Sequence, residues 1–292
     1  MIISVVIFLL IIGMSCVIVG VGVYLYIISN YHHKAVDCEV IKEERFKIPI
    51  ETKEGTIELE AKLLYSKYVQ NPSPCVIVCH GWGSSLDGPR YLQEALTLHG
   101  FRVVAYSARG HGRSGGKRIF PEIYEDFTKV LDFLFKAPGF GIDPSRMAVI
   151  GHSMGGSTAL LKAYLDGRVK LVVAMSTVHD VSETWRRTFN IFSIKFWVLL
   201  GFRLSGLRLI VTPEENLWCS PKFTLQKPSK TKVFLIHAKD DAIVEFDNFQ
   251  KNVDLLKLPP DQTLVFERGG HSFFHLEWVI TSQIIKWLNT YL

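Results

Sequence analysis

The sequence predicts an α/β fold: a mostly parallel, eight-stranded sheet with helices on both faces and a helical cap, preceded by one N-terminal transmembrane helix. Three observations carry this. Short, nearly continuous apolar runs alternate with helix-period segments over most of the 292 residues, the pattern of parallel strands covered on both faces. One such run passes abruptly, through Gly151-His152-Ser153-Met154-Gly155, into an apolar, helix-like run. From Ile2 to Ser29 there is no charged residue, Asn, Gln or His over 28 consecutive positions, where a bilayer span needs about 20 apolar residues.

Taken in order, residues 1–30 form the expected anchor. The stretch lacks the basic leader and small-residue cleavage site of a signal peptide, and its apolar core is too long for one. Lys34, Lys42, Arg45 and Lys47 follow it, so the positive-inside tendency puts the remaining domain on the cytoplasmic side. Residues 31–45 read as a polar linker and 46–292 as the folded domain. Strands are expected around Phe46–Ile50 and Thr56–Ser66, then at Cys75–Cys79, Arg102–Ser107, Met147–Ile150, Leu171–Ala174, Val233–His237 and Leu264–Glu267. Pro121 opens a helix in which Ile123, Phe127, Val130, Leu131 and Leu134 share one face. The last helix repeats Ile280, Ile284 and Leu288 at spacing four. Nearly sixty residues separate the strands at 171–174 and 233–237. Loops so long are usually functional, and an insertion over about 177–231 is expected to form a helical cap. Its apolar segment, residues 191–211, is broken by Lys195, Arg203 and Arg208 and is too short in charge-free runs for a second span.

Composition excludes several function classes. Apolar residues make up 48% and charged residues 21%, enough to bury a large core, so a disordered chain is excluded. The 33 cations interleave with 28 anions for a net charge of +5; there is no basic run and no nucleic-acid partner is expected. The five cysteines (Cys16, Cys38, Cys75, Cys79 and Cys219) contain no CxxC pair. Neither a disulfide framework nor a metal site is legible, and no cofactor is expected.

The short stretch around Ser153 carries the chemistry. A strand that turns sharply into a helix presents the residue at its tip, and glycine two positions away on each side removes side chains that would collide there. A serine hydroxyl becomes a useful nucleophile when a histidine takes its proton and a buried carboxylate orients that histidine. VFLIHAKDDAIV offers Asp240 and Asp241, and VFERGGHSFF offers His271, in the chain order Ser, Asp, His. The developing oxyanion needs backbone N–H donors. One comes from Met154, the residue after the nucleophile. The other comes from the loop after an early strand, His80-Gly81-Trp82-Gly83, where Trp82 is assigned and Gly83 is the alternative.

These motifs, with HGWG at 80–83, SARGHGRSGG at 107–116, GHSMGG at 151–156, LIHAKDD at 235–241 and GGHSF at 269–273, resemble the α/β-hydrolase superfamily. The closest likeness is to its monoacylglycerol-lipase-like and serine-aminopeptidase-like branch. The resemblance covers roughly residues 45–292 and implies Ser153 as nucleophile, Asp241 as acid and His271 as base. His152 is expected to be structural and to point away from the nucleophile. His80, Arg109 and His111 are read as loop supports, and His275, one turn inside the last helix, as the fallback base. Two departures from the common pattern, Ala238 before the acid and Ser107-Ala108 before Arg109, leave the catalytic positions intact.

The expected function is a membrane-anchored serine hydrolase cleaving a small ester or lipid-like substrate. An aminopeptidase is the alternative; it needs an anionic group for the substrate amine, for which the cap offers Glu183, Glu214 and Glu215. A catalytically silent binding protein requires a lost triad position, and none is lost.

Overall fold

A computed structural model describes residues 39–186 and 212–292. The expected transmembrane anchor and the apolar cap segment 191–211 lie outside the described residues. Among those described, no helix is long and apolar enough to cross a membrane.

Eight strands form one sheet: β1 (Ile41–Thr52), β2 (Gly55–Ser66), β3 (Ser73–Cys79), β4 (Arg102–Tyr106), β5 (Ile142–His152), β6 (Val169–Met175), β7 (Lys232–Ala238) and β8 (Thr263–Phe266). Their spatial order is β1-β2-β4-β3-β5-β6-β7-β8. From β4 to β8 every pairing is parallel, whereas β2 runs against both β1 and β4. Strand β1 begins at Ile41, so the polar stretch read as linker to residue 45 is in part an edge strand. Lys42, Glu44, Arg45 and Lys47 are exposed and Glu43 is half-buried, a pattern that hides a strand from an apolar-run reading and also protects a sheet edge.

The pleat explains why the inner strands are apolar without alternation. Cys75, Ile77 and Cys79 of β3 pack into one layer with Val149 of β5 and Leu235 of β7. Val76 and Val78 pack into the opposite layer with Ile150 and Ile236. Successive side chains point to opposite faces, and both faces are covered.

The first layer is closed by α2 (Phe120–Phe135), with Pro121 in its first turn. Its expected face, Ile123, Phe127, Val130, Leu131 and Leu134, is buried. The second layer is closed by α1 (Arg90–Leu98) and α8 (Glu277–Tyr291). Ile280, Ile284 and Leu288 of α8 are at most 1% exposed, each contributing about 1.5–3 kcal/mol by burial. Helix α3 (Met154–Leu161) carries no charged side chain and is buried along its whole length, with the Thr158 hydroxyl bonded to the Met154 carbonyl.

Between β6 and β7 the described part of the insertion holds α4 (Val181–Arg186), α5 (Pro213–Cys219) and α6 (Pro221–Thr224). Asp180 ties them together. Its carboxylate accepts from Ser182 Oγ at 2.9 Å, the Glu183 N–H at 3.2 Å and Asn216 Nδ2 at 3.2 Å, and it pairs with Lys222. Burial alone would raise its pKa; the Lys222 contact and these donors outweigh that and hold it well below the usual carboxylate range. Helix α7 (Phe246–Leu256) follows β7.

The strand order reverses between β4-β3 and β5-β6. In an open parallel sheet the crevice at such a switch point, beyond the carboxyl ends of the strands, is where a ligand meets the most loops. Here those ends are Cys79 of β3 and His152 of β5.

Candidate active site

Ser153 stands between the end of β5 and the start of α3, with φ 54° and ψ −113°. A left-handed φ at a residue with a side chain is strained, and it persists only where the surroundings fix it. Here they do. The Ser153 N–H donates to the Met175 carbonyl at 2.8 Å, and its own carbonyl accepts from the Ser157 N–H at 2.9 Å. A Cβ on Gly151 would lie 2.1 Å from the Gly155 carbonyl oxygen, and one on Gly155 would lie 2.1 Å from the carbonyl oxygen of Cys79. Glycine at both positions is thus a requirement of how closely strand, helix and the neighbouring β3 approach.

The structure brings Ser153, His271 and Asp241 together from three distant parts of the chain. His271 Nε2 lies 2.9 Å from Ser153 Oγ, and His271 Nδ1 lies 2.8 Å from Asp241 Oδ2. Asp241 is 4% exposed, and its Oδ1 accepts the N–H groups of Ile243 and Val244, each at 2.9 Å. Burial pushes its pKa up, but the His271 hydrogen bond and charge, with the Val244 N–H, win and keep it below the usual value. The carboxylate is therefore charged. His237 lies behind it, with Nε2 3.6 Å from Asp241 Oδ2 and donating to the Val244 carbonyl at 2.9 Å.

Asp240 does something different. Its Oδ1 accepts the N–H of Gly270 at 2.8 Å, so the adjacent aspartates grip the same loop, one by backbone and one by ring. His275 precedes α8 rather than lying inside it. It sits in a left-handed turn at φ 64°, because the chain from Gly269 reverses tightly before Glu277 starts the helix, and no described contact joins it to Ser153.

Met154 is the first residue of α3, so its N–H has no partner within the helix and the positive end of the helix dipole lies there. The loop after β3 comes against Ser153 at Gly81, where an added Cβ would stand 3.5 Å from Ser153 Cβ. Trp82 follows directly; its ring stacks on Phe120 at 5.1 Å and meets His111 edge-on at 4.8 Å. Gly83 has φ 75° and continues the turn, with the Ser84 N–H returning to the Gly81 carbonyl at 3.3 Å.

The loop supports are well defined. His80 Nε2 accepts the Ala108 N–H at 2.9 Å, so its proton is on Nδ1 and goes to the Gly81 carbonyl at 2.7 Å. Arg109 grips Asp126 with two bonds of 2.6 Å and also pairs with Glu122. His111 donates from Nδ1 to the Arg109 carbonyl at 3.0 Å. Burial pushes the His80 ring down to about 3 and the His111 ring down to about 4.

Both rings therefore fold neutral, while in the unfolded chain they protonate near the ordinary value. Depressed histidines lower stability as pH falls below about 6.5, down to their folded pKa values, at roughly 1.4 kcal/mol per pH unit and residue. Between pH 6.5 and 5 the pair is expected to remove about 3 kcal/mol, since the full slope is reached only below the unfolded pKa. Urea unfolding at the two pH values measures this; an unchanged midpoint contradicts it.

A family described as serine aminopeptidase, S33, matches residues 70–211. The chain is 29% identical over 183 residues to a hydrolase, acrC, of Aspergillus aculeatus, covering 58% of this chain and 41% of that protein. It is 28% identical over 97 residues to a monoacylglycerol lipase of Mycolicibacterium smegmatis, covering 32% and 35%. It thus spans less than two thirds of either relative. An esterase of Pyrococcus furiosus superposes with a TM-score of 0.60 at 22% identity, over 85% of this chain and 93% of that one. The chain has the α/β-hydrolase fold, and residues 70–211 resemble the S33 serine aminopeptidase family.

Two residues at this site have partners that the sequence does not disclose. Asp240 entered only as a rival to Asp241, and its grip on Gly270 has no local sequence signal. His152 reads as structural, and the structure adds what it supports: its ring lies against that of His271, with centroids 4.9 Å apart.

Proposed function

We propose that this chain is a serine hydrolase of carboxylic esters working through an acyl-enzyme. The reading rests on one observation: Ser153 Oγ, the His271 ring and the Asp241 carboxylate lie in line at 2.9 and 2.8 Å. Ser153 Oγ attacks the ester carbonyl carbon as its proton passes to His271 Nε2, and Asp241 steadies the imidazolium that forms. The carbonyl oxygen becomes an oxyanion held by the N–H groups of Met154 and Trp82. Collapse breaks the ester C–O bond, His271 returns the proton to the leaving alcohol, and the acyl group stays on Ser153. Water then attacks the acyl carbon, giving its proton to His271; collapse breaks the bond to Ser153 Oγ, His271 returns the proton to that oxygen, and the acid is released.

An apolar acyl substrate is supported by the composition of the insertion after β6 and by the similarity to a monoacylglycerol lipase. Residues 2–29 are the proposed membrane anchor, with the hydrolase domain on the cytoplasmic side; release of the full chain from membranes by alkaline carbonate rules the anchor out. The peptidase alternative loses ground in the cap. Of the three glutamates it could use, Glu183 is bonded to Lys251 at 2.8 Å and Glu215 closes a capping box with Thr212, which leaves the exposed Glu214 for a substrate amine.

A panel of p-nitrophenyl esters from acetyl to dodecanoyl tests the substrate class, read as kcat/KM. Turnover rising with chain length is expected. Cleavage of aminoacyl-nitroanilides without any ester cleavage overturns the reading.

A further inference from the structure

We propose that His152, the residue before the nucleophile, is a positioning residue that holds the His271 loop at the right height over Ser153. The proposal rests on the reading of Ser153, His271 and Asp241 as the catalytic groups.

The backbone of His152 is fixed by the sheet, where it pairs with Met175 of β6. From that fixed point the ring reaches a loop 119 residues away and donates to the main-chain carbonyl of His271, Nε2 to O, at 2.7 Å. A carbonyl oxygen accepts and cannot donate, so the ring hydrogen is on Nε2 and the lone pair is on Nδ1. Nδ1 faces the loop after β3: a Cβ on Gly81 would stand 2.9 Å from it. One ring thus spaces the loop that carries Trp82 from the loop that carries His271, and both loops converge on Ser153. Burial, then the charge His271 would carry, pushes the His152 ring down to about 4. It stays neutral above that pH, keeps its one N–H for the carbonyl, and does not compete for the proton that Ser153 gives up.

The His271 loop needs such a clamp. Within a few residues Gly270, Phe273 and His275 all have left-handed φ values, 59°, 55° and 64°, conformations costly for residues with side chains. Asp240 holds its Gly270 N–H from the turn after β7, and Asp241 holds the His271 ring from the same turn. Those two bonds set the loop against β7. The bond from His152 sets it against β5, which ends in the nucleophile, so it fixes the distance that proton transfer depends on.

The test is steady-state hydrolysis of p-nitrophenyl butyrate by the full chain and by His152→Leu and His152→Gln, beside the rate of labelling by a fluorophosphonate probe. Leucine removes the donor; the glutamine amide reaches the same carbonyl. His152→Leu is expected to lose kcat on the order of 10- to 100-fold, the cost of a reacting group displaced by about 1 Å, with KM unchanged and labelling slowed in step. His152→Gln is expected to recover most of the rate. If His152→Leu does not fold, His152→Asn replaces it, since its amide is one bond too short to reach. A leucine or asparagine variant as fast as wild type overturns the proposal, and so does a glutamine variant as slow as leucine. A wild-type chain that the probe does not label sinks the catalytic reading and this proposal with it, whereas a labelled wild type beside an equally labelled His152→Leu sinks this proposal alone.

Discussion

Replacing Ser153 by alanine is expected to lower kcat for ester hydrolysis by on the order of a million-fold and to leave the fold intact. The size follows from the way the three groups act as a unit. Without Oγ there is nothing for His271 to deprotonate and no atom to carry the acyl group, so base and acid become idle together. What remains is binding and the oxyanion donors, worth roughly a thousand-fold over water. The structure also says why stability should hold. Ser153 is kept in its strained conformation by backbone bonds to Met175 and Ser157, neither of which uses the hydroxyl. Burst kinetics and fluorophosphonate labelling check the prediction. Retained labelling in Ser153→Ala, or a loss of only a few-fold, places the nucleophile elsewhere.

How far the sequence could lead depended on whether a feature is local. The strands from β3 to β7 are legible because burial on both faces forces an uninterrupted apolar run, as in Cys75–Cys79. The turn at Ser153 is legible because Gly151 and Gly155 answer to contacts within a few residues and with the neighbouring strand. The start of β1 is not legible. Arg45 bonds Glu43 at 2.8 Å and reaches Asp87 at 3.2 Å, while the buried Lys62 meets Asp87 at 2.6 Å. A strand whose charges are matched by partners far along the chain reads as linker when those partners are unknown. The partners of His152 and Asp240 are illegible for the same reason: each bonds the His271 loop, and nothing within their own segments marks that loop's position. His275 shows the opposite error, a helix extended too early across residues that reverse direction through left-handed φ values. Local periodicity sees the helix and cannot see the turn in front of it.

The two adjacent aspartates give the second large effect. Asp241→Asn is expected to lower kcat about ten-thousand-fold, and Asp240→Asn less than about ten-fold, the scale of one exposed hydrogen bond. The difference comes from the geometry around position 241. Its Oδ1 accepts two backbone N–H groups, from Ile243 and Val244 at 2.9 Å each. An asparagine there must turn its carbonyl oxygen toward those donors, since its amide nitrogen would meet them as a third and fourth hydrogen. The NH2 group then faces His271 Nδ1, which lies 2.8 Å from Oδ2 in the native chain. The imidazole responds by presenting its lone pair at Nδ1 and its hydrogen at Nε2. Ser153 Oγ, 2.9 Å from Nε2, then faces an N–H in place of a base, and the proton has nowhere to go. At position 240 the carboxylate holds one backbone N–H, that of Gly270, and an asparagine carbonyl can hold it as well. Comparable losses in both variants contradict this assignment, and a larger loss at Asp240 reverses it. Hydroxide-driven recovery of Asp241→Asn at high pH is the further sign that tautomer, and not folding, is what the substitution changes.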